Sequence, residues 1–349
     1  MYIKNIELYN FRCFEAVHFD FAETFNIIIG ANASGKTSIL EAIYFLAFTK
    51  SFRTKHLKYL IKLNSSFLKV VGEVCSSEGD KLLEVTLNSK KNMKINEEVF
   101  HKVANYVGTL KVILLSFEDI NLIKGSPNYR RRFIDALFSQ IDKNYLQKWR
   151  EIRFIIKEKN KILKIAKKND EKLIKSIQKL FIEKVYEFYN LRKVYLARLQ
   201  ELFVKKYNKI FGCEKVKIKY EYKGKMDDFS IENLAKIGDF YLRKELQYQK
   251  TLWGPHLDDL YFYVNERKAK YFSSQGQIKS IILALKMACV DFVKEKTGEI
   301  PILLIDDIFS ELDEVRIELF LKNLPKIQII STSPYLKKIS VSYNLIHLK

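Results

Sequence analysis

The sequence predicts an α/β fold: one α/β domain built from both chain ends, with a mainly helical domain inserted between them. Three observations carry this. Short apolar runs ending in Gly or Asp stand near both termini, at 25–30 and 300–307, the pattern of strands buried on both faces. Between them, residues from about 129 to 211 include no Pro and no Gly, and apolar residues recur at helical spacing. Gly (12) and Pro (5) are scarce in a chain of 349 residues, which favours long regular elements over a loop-rich β fold.

The elements follow in order. Ile3, Ile6 and Leu8 alternate with polar residues, and Val17, Phe19 and Phe21 repeat the pattern, which predicts a hairpin. The apolar run 25–29 ends at Gly30 and predicts a buried parallel strand. Over 37–48 the spacing turns helical, with Ile39, Ala42, Ile43, Leu46 and Ala47 on one face. Residues 67–88 alternate again, and 112–115 predict a second buried strand. In the middle, Leu173, Ile177, Phe181, Val185, Phe188, Tyr195, Leu199 and Leu202 share one face, with Lys and Glu outside. This predicts a long helical hairpin or small bundle, its turn at 167–170 and its aromatic stripe packed in the core. After about residue 250 the α/β character returns, with strands expected at 300–305 and 327–330. The expected domains are 1–118 and 249–349 for the α/β unit and 119–248 for the helical arm.

Bulk composition narrows the function. The chain has 61 Lys and Arg against 41 Asp and Glu, a net charge of +20. Such a balance favours a polyanionic partner, nucleic acid or an anionic membrane face, although the excess of Lys over Arg also fits a compositional bias with no partner. Cys13, Cys75, Cys213 and Cys289 lie far apart, which excludes metal-ligand or redox spacing and predicts reduced, mostly buried thiols. The N-terminus lacks a signal-peptide pattern. The longest apolar run, 281–290, is interrupted by Lys286 and is too short to span a membrane. A cytoplasmic protein without a membrane partner is expected.

Gly30-Ala-Asn32-Ala-Ser34-Gly35-Lys36-Thr37 fits the P-loop pattern, with an apolar strand before it and an amphipathic helix after it. The glycines let backbone N–H groups face phosphate oxygens. Lys36 offers a point charge to the β- and γ-phosphates, and Thr37 a hydroxyl to Mg²⁺. Asn32, Ser34 and Ser38 complete the expected nucleotide shell. A P-loop wants an acid at the end of a parallel strand, and 302–307 supply two. Asp306 is expected to hold the Mg²⁺ shell and Asp307 to polarise the attacking water.

These residues carry a resemblance. Ser274-Gln-Gly276-Gln277, before the helical pattern at 278–288, resembles the signature loop of the ABC-type ATPase class, and Ser310-Glu-Leu-Asp313 its D-loop. Within that class the chain is similar to the RecF family. The similar segments are Tyr2-Ile-Lys with Asn10-Phe11-Arg12, Lys50-Ser51-Phe-Arg53-Thr54, Glu118-Asp119 through Lys124-Gly125-Ser126-Pro127, Arg130-Arg131-Arg132-Phe-Ile-Asp135, and Trp253-Gly254-Pro255-His256-Leu-Asp258-Asp259. The chain departs from the family pattern at Ala33, Phe117, Leu257 and Ile278-Lys279. Ile330-Ser331-Thr332-Ser333 stands where a switch His would otherwise fall.

The resemblance implies an ABC-type ATPase head built from both chain ends, with the arm inserted. It implies ATP and Mg²⁺ as cofactors and a homodimer joined by ATP, in which Ser274, Gly276 and Gln277 complete the partner's site. It also implies binding to single- and double-stranded DNA, and RecO and RecR as partners in loading recombinase. Lys36, Asp307 and Ser274 are the expected catalytic residues. By family position Arg12 and Arg53 face the α-phosphate or ribose, or are structural. Lys124, Arg130, Arg131 and Arg132 are expected to meet DNA phosphates, or the three arginines to pair with Asp135 and Glu118 at the head–arm junction. A transporter ATP-binding subunit is disfavoured by the long arm between Lys36 and Ser274. A scaffold that holds ATP without turning it over stays open, because Asp307 is one methylene shorter than the usual Glu.

Overall fold

The computed structural model describes residues 1–165, 171–212, 214–224, 230–307, 313–334 and 342–348. The chain opens with the hairpin β1 (Tyr2–Phe11) and β2 (Phe14–Asp20), then β3 (Phe25–Ile29) and helix α1 (Lys36–Phe48). Strands β4 (Leu68–Ser76), β5 (Gly79–Leu87), β6 (Lys91–Ile95) and β7 (Glu98–Phe100) follow, then the short helix α2 (Val103–Tyr106) and β8 (Val112–Ser116). The helical region comprises α3 (Ile120–Ile123), α4 (Pro127–Ile141), α5 (Lys143–Ile165) and α6 (Glu171–Phe211). Next come β9 (Val216–Glu221), α7 (Ile231–Tyr248), β10 (Asp259–Val264), β11 (Arg267–Lys268) and α8 (Ala269–Phe272). Helix α9 (Gln275–Thr297), β12 (Ile302–Asp306), α10 (Glu314–Lys322), β13 (Ile329–Ser333) and β14 (Asn344–His347) complete the described chain.

Among the described residues, an antiparallel sheet runs β2-β1-β4-β5-β6-β7 and a parallel sheet runs β14-β3-β13-β12-β8, so strands from both chain ends interleave. Helix α1 lies between the two. Its Ile39, Ile43 and Leu46 pack with Ile6 and Val70 of the antiparallel sheet and with Ile28, Leu304 and Ile330 of the parallel one. The opposite face of the parallel sheet, with Ile27, Leu115, Leu303 and Ile305, packs against α9. This two-sided burial is why β12 reads as an unbroken apolar run.

Helix α4 starts two residues before the sequence pattern suggests, with Pro127 in its first turn, where a missing N–H costs nothing. The aromatic stripe is core: Phe181 and Phe188 are fully buried. Leu173 is an exception at 50% exposure. The expected turn at 167–170 lies outside the described residues.

The expected boundary at 248/249 is crossed by pairing. Strand β9, within the expected arm, pairs antiparallel with β10, Leu260 opposite Tyr220. A buried polar network reinforces the joint. Asp258 accepts hydrogen bonds from Tyr189 (2.6 Å), Tyr220 (2.8 Å) and the Lys223 amide (2.7 Å). Of the cysteines, Cys75 and Cys289 are buried, whereas Cys13 is exposed, at the tip of the first hairpin where no core covers it; Cys213 lies outside the described residues. No helix among them is long and apolar enough to cross a membrane.

Candidate nucleotide-binding site

Parallel register places the site. Asp306 lies opposite Thr332 on one side and Ser116 on the other, and Ser333 lies opposite Ile29. The C-terminal ends of β3, β13, β12 and β8 therefore open side by side, with Gly30 following β3. The loop then turns into α1 through Ala33 (φ 68°) and Gly35 (φ 100°), both left-handed. Glycine is needed at 35, where a Cβ would stand 2.6 Å from the Phe14 ring. Ala33 adopts a conformation that favours Gly.

Thr37 Oγ1 donates to Asp306 Oδ1 at 2.8 Å, joining loop and acid strand across 269 residues. The Thr332 hydroxyl donates to the same oxygen at 2.9 Å and accepts from the Asp307 amide at 3.0 Å. Burial pushes the Asp306 carboxyl above its ordinary range, against the pull of the two hydroxyls and of Arg53. Asp307 is exposed with φ 50°, a strained backbone held by its neighbours. Lys36 Nζ rests on the Gly30 and Ala31 carbonyls, at 2.7 and 2.8 Å.

The residues fit the group the loop implies. Ser34 Oγ is buried with no hydrogen-bond partner. At Gly30 a Cβ would meet Ser34 Oγ at 2.8 Å and the Leu348 carbonyl at 2.9 Å, so the cradle is closed to any larger residue. Thr37 and Asp306 offer the hard oxygen donors that suit Mg²⁺. Asn32 is exposed at the rim, and Ser38 is buried at the start of α1.

Glu41 is a buried acid beside the site that sequence reasoning missed. It is fully buried and holds Arg12 through two bonds, Nε–Oε2 at 2.8 Å and Nη2–Oε1 at 2.7 Å. Ser51 also donates to it, and Arg53 reaches it at 3.3 Å. Arg12 directs its remaining donor to the Tyr59 carbonyl, which is the structural role the sequence left open. Arg53 is 43% exposed and sits close enough for its charge to act on Asp306. The signal was an acid inside the apolar spacing of α1.

Ser274 caps α9 in a capping box, accepting from the Gln277 amide at 3.1 Å while Gln277 Oε1 accepts from the Ser274 amide at 2.9 Å. Ser274 is exposed, and a Cβ on Gly276 would stand 2.8 Å from Arg316 Nη2 of α10. Of the expected D-loop, Asp313 caps α10, and 310–312 lie outside the described residues.

The basic residues separate. Lys124 and Arg132 are exposed. Arg131 donates to the Asp258 carbonyl at 2.6 Å. The expectation that Arg130 meets DNA is corrected: it is 2% exposed and grips both oxygens of Asp259, at 2.7 and 2.9 Å. Neither Asp135 nor Glu118 is its partner. Asp135 pairs with buried Arg192, and Lys286 with Asp119 at 2.6 Å.

A P-loop and an acid strand on one parallel sheet, with a signature helix from the far end of the chain whose capped N-terminal turn is exposed, define an ABC-type ATPase head. The family model described as RecF/RecN/SMC N terminal domain matches residues 2–338. The chain is 37% identical over 328 residues to the DNA replication and repair protein RecF of Bacillus velezensis, covering 90% of this chain and 88% of that protein. It belongs to the RecF family. The RecF of Lactococcus lactis subsp. cremoris is 38% identical over 356 residues, covering 100% and 97%. The solved structure of the recombination mediator protein RecF-ATPrS in the RecFOR pathway superposes with a TM-score of 0.89 at 30% identity, covering 98% and 94%. An Smc head bound to the C-winged helix domain of ScpA matches at TM-score 0.52 and 15% identity, a likeness of fold alone.

Proposed function

We propose that this chain is a DNA-repair and recombination ATPase that dimerises on ATP and binds single- and double-stranded DNA. The observation that supports it most is the Thr37–Asp306 hydrogen bond, together with a signature turn exposed elsewhere on the same chain. The first assembles a phosphate site within one chain. The second leaves Ser274 free to approach a nucleotide held by a second chain.

In this reading Lys36 leaves the loop carbonyls for the β- and γ-phosphates of ATP. Mg²⁺, held by Thr37 and Asp306, would neutralise charge on the phosphate oxygens. Asp307 orients and polarises the attacking water, its backbone fixed through Thr332. Arg53 faces the α-phosphate or ribose, while Arg12 acts through Glu41 to hold the Arg53 loop. Across the dimer, Ser274 and the Gly276 amide contact the γ-phosphate, with Gln277 holding the turn, so loss of that phosphate releases the two heads. The shorter reach of Asp307 makes turnover slow, and DNA would stimulate it.

DNA contacts fall to Lys124, Arg131 and Arg132, with the arm lysines, and are made to backbone phosphates. With RecO and RecR as partners the protein would load recombinase at gaps. Steady-state ATP hydrolysis with and without DNA tests this. Turnover that DNA raises, and that Lys36→Ala and Asp307→Asn each abolish, is expected; turnover untouched by Lys36→Ala would sink the reading.

A further inference from the structure

A cleft of about 670 Å³ opens on the β8 edge of the parallel sheet, between the loop after α1 and helices α4 and α5. Its volume lies in the range that holds a drug- or nucleotide-sized ligand. Lys50, Lys91, Arg132 and Arg153 line it. None of the four has an ion pair among the described residues, and Lys91 is held only by Thr49, at 2.8 Å to its hydroxyl and 3.2 Å to its carbonyl. The nearby acids are committed elsewhere: Asp119 to Lys286 and Asp135 to Arg192. Glu118, at the mouth, is the remaining lining carboxylate.

Four cations gathered in one concavity, none of them in an ion pair among the described residues, repel one another. In two of them burial is the larger influence and the neighbouring cations a smaller one. Burial lowers the Lys91 pKa to about 8, with Lys50 and Arg150 adding to the effect. Burial also lowers Lys50, and Arg153, Arg132 and Arg150 push it further in the same direction against Asp135. A bound anion would relieve this repulsion. The same walls carry Phe52 and Tyr129, aromatic faces on which a nucleobase can stack, beside Tyr44 and Trp149, whose rings pack on Phe48 and Phe188.

We propose that this cleft is a nucleoside-phosphate site separate from the P-loop, in which Lys50, Arg132 and Arg153 hold the phosphate and the aromatic wall holds the base. The ligand is a free nucleotide or the phosphorylated end of a nucleic-acid strand, which present the same group. The site needs neither ATP hydrolysis nor dimerisation, so it is tested in the full chain carrying Lys36→Ala, where the P-loop cannot answer.

The probes are AMP and a short single-stranded oligonucleotide with and without a terminal phosphate, read by calorimetry. Arg132→Gln with Arg153→Gln breaks no hydrogen bond seen here, and thermal unfolding confirms that the variant folds. Lys50→Gln is the second variant. AMP binding that weakens at least tenfold in the double variant assigns a free nucleotide. Tighter oligonucleotide binding from the terminal phosphate, lost in the double variant, assigns a strand end. If neither probe responds to the double variant or to Lys50→Gln, the cleft is not a phosphate site.

Discussion

At the scale of single residues, the decisive feature is how few side chains tie distant parts of the chain together. Asp306 is one: Thr37, from residue 37, and Thr332, from the far end, share its Oδ1. Glu41 is another, buried in the second turn of α1 with Arg12, Ser51 and Arg53 around it. Removing Arg12 leaves that carboxylate underpaired in the core. Arg12→Ala is expected to cost about 2 kcal/mol, since Arg53 and Ser51 still reach Glu41. Urea denaturation measures it, and Arg12→Ala with Glu41→Leu should recover most of the loss. The two arginines at 130 and 132 make a sharper contrast. Arg130→Gln should destabilise the fold by roughly 3 kcal/mol, because it strands buried Asp259, and leave the salt dependence of DNA binding unchanged. Arg132→Gln should leave stability within about 0.5 kcal/mol and lower the slope of log K against log salt by about 1. Equal slopes for wild type and Arg132→Gln would place Arg132 outside the DNA contact.

At the scale of elements, the joint between arm and head rests on β9, β10 and α6 around Asp258. Burial raises the Asp258 pKa to about 6, against hydrogen bonds from Lys223, Tyr189 and Tyr220 and the charge of Arg192. The sign follows from linkage. The folded state holds its proton longer than the unfolded chain, so its contribution is present in full below about pH 4 and is lost as pH rises toward 6. The loss amounts to about 3 kcal/mol at most. Other carboxylates titrate in the same window, so the measurement is a difference: wild type minus Asp258→Asn, by denaturant midpoints at pH 4.5 and pH 7. A difference that does not change with pH refutes the assignment. Helix α9 makes the opposite kind of contribution, through apolar burial. Leu285 is fully buried against the sheet, and Leu285→Ala should cost roughly 2–5 kcal/mol in the same assay.

At the scale of the whole molecule, one chain carries one P-loop and one signature turn. Size-exclusion chromatography with ATP, ADP and no nucleotide tests whether two chains share their sites. A dimer with ATP alone, abolished by Ser274→Arg, is expected, since the larger cation would stand where a partner's γ-phosphate must approach. A wild type that stays monomeric in ATP would overturn the shared-site reading.

Much of this was legible in the sequence. The P-loop, the paired acids and the signature are local patterns, because backbone torsions and helix caps depend on neighbouring residues. The strands expected at 25–29, 112–115 and 300–305 announced themselves by being apolar on both faces, the last running at 302–306. In β10, Leu260, Phe262 and Val264 alternate cleanly, a local period that does not say which strand pairs with it. Glu41, Arg130 and the pairing of β9 with β10 were not legible, and for one reason: each is defined by a partner about 30 to 130 residues away. A basic run reads the same whether it faces solvent or a buried Asp259.

The sequence by itself determined the chemistry that short stretches can encode: a loop that wraps phosphate, acids at a strand end, a capped helix, an amphipathic arm. Only the tertiary structure decided which charges are committed and which are not. Burial and pairing depend on what distant segments bring to the same place, and three adjacent arginines acquired three different surroundings when the chain folded.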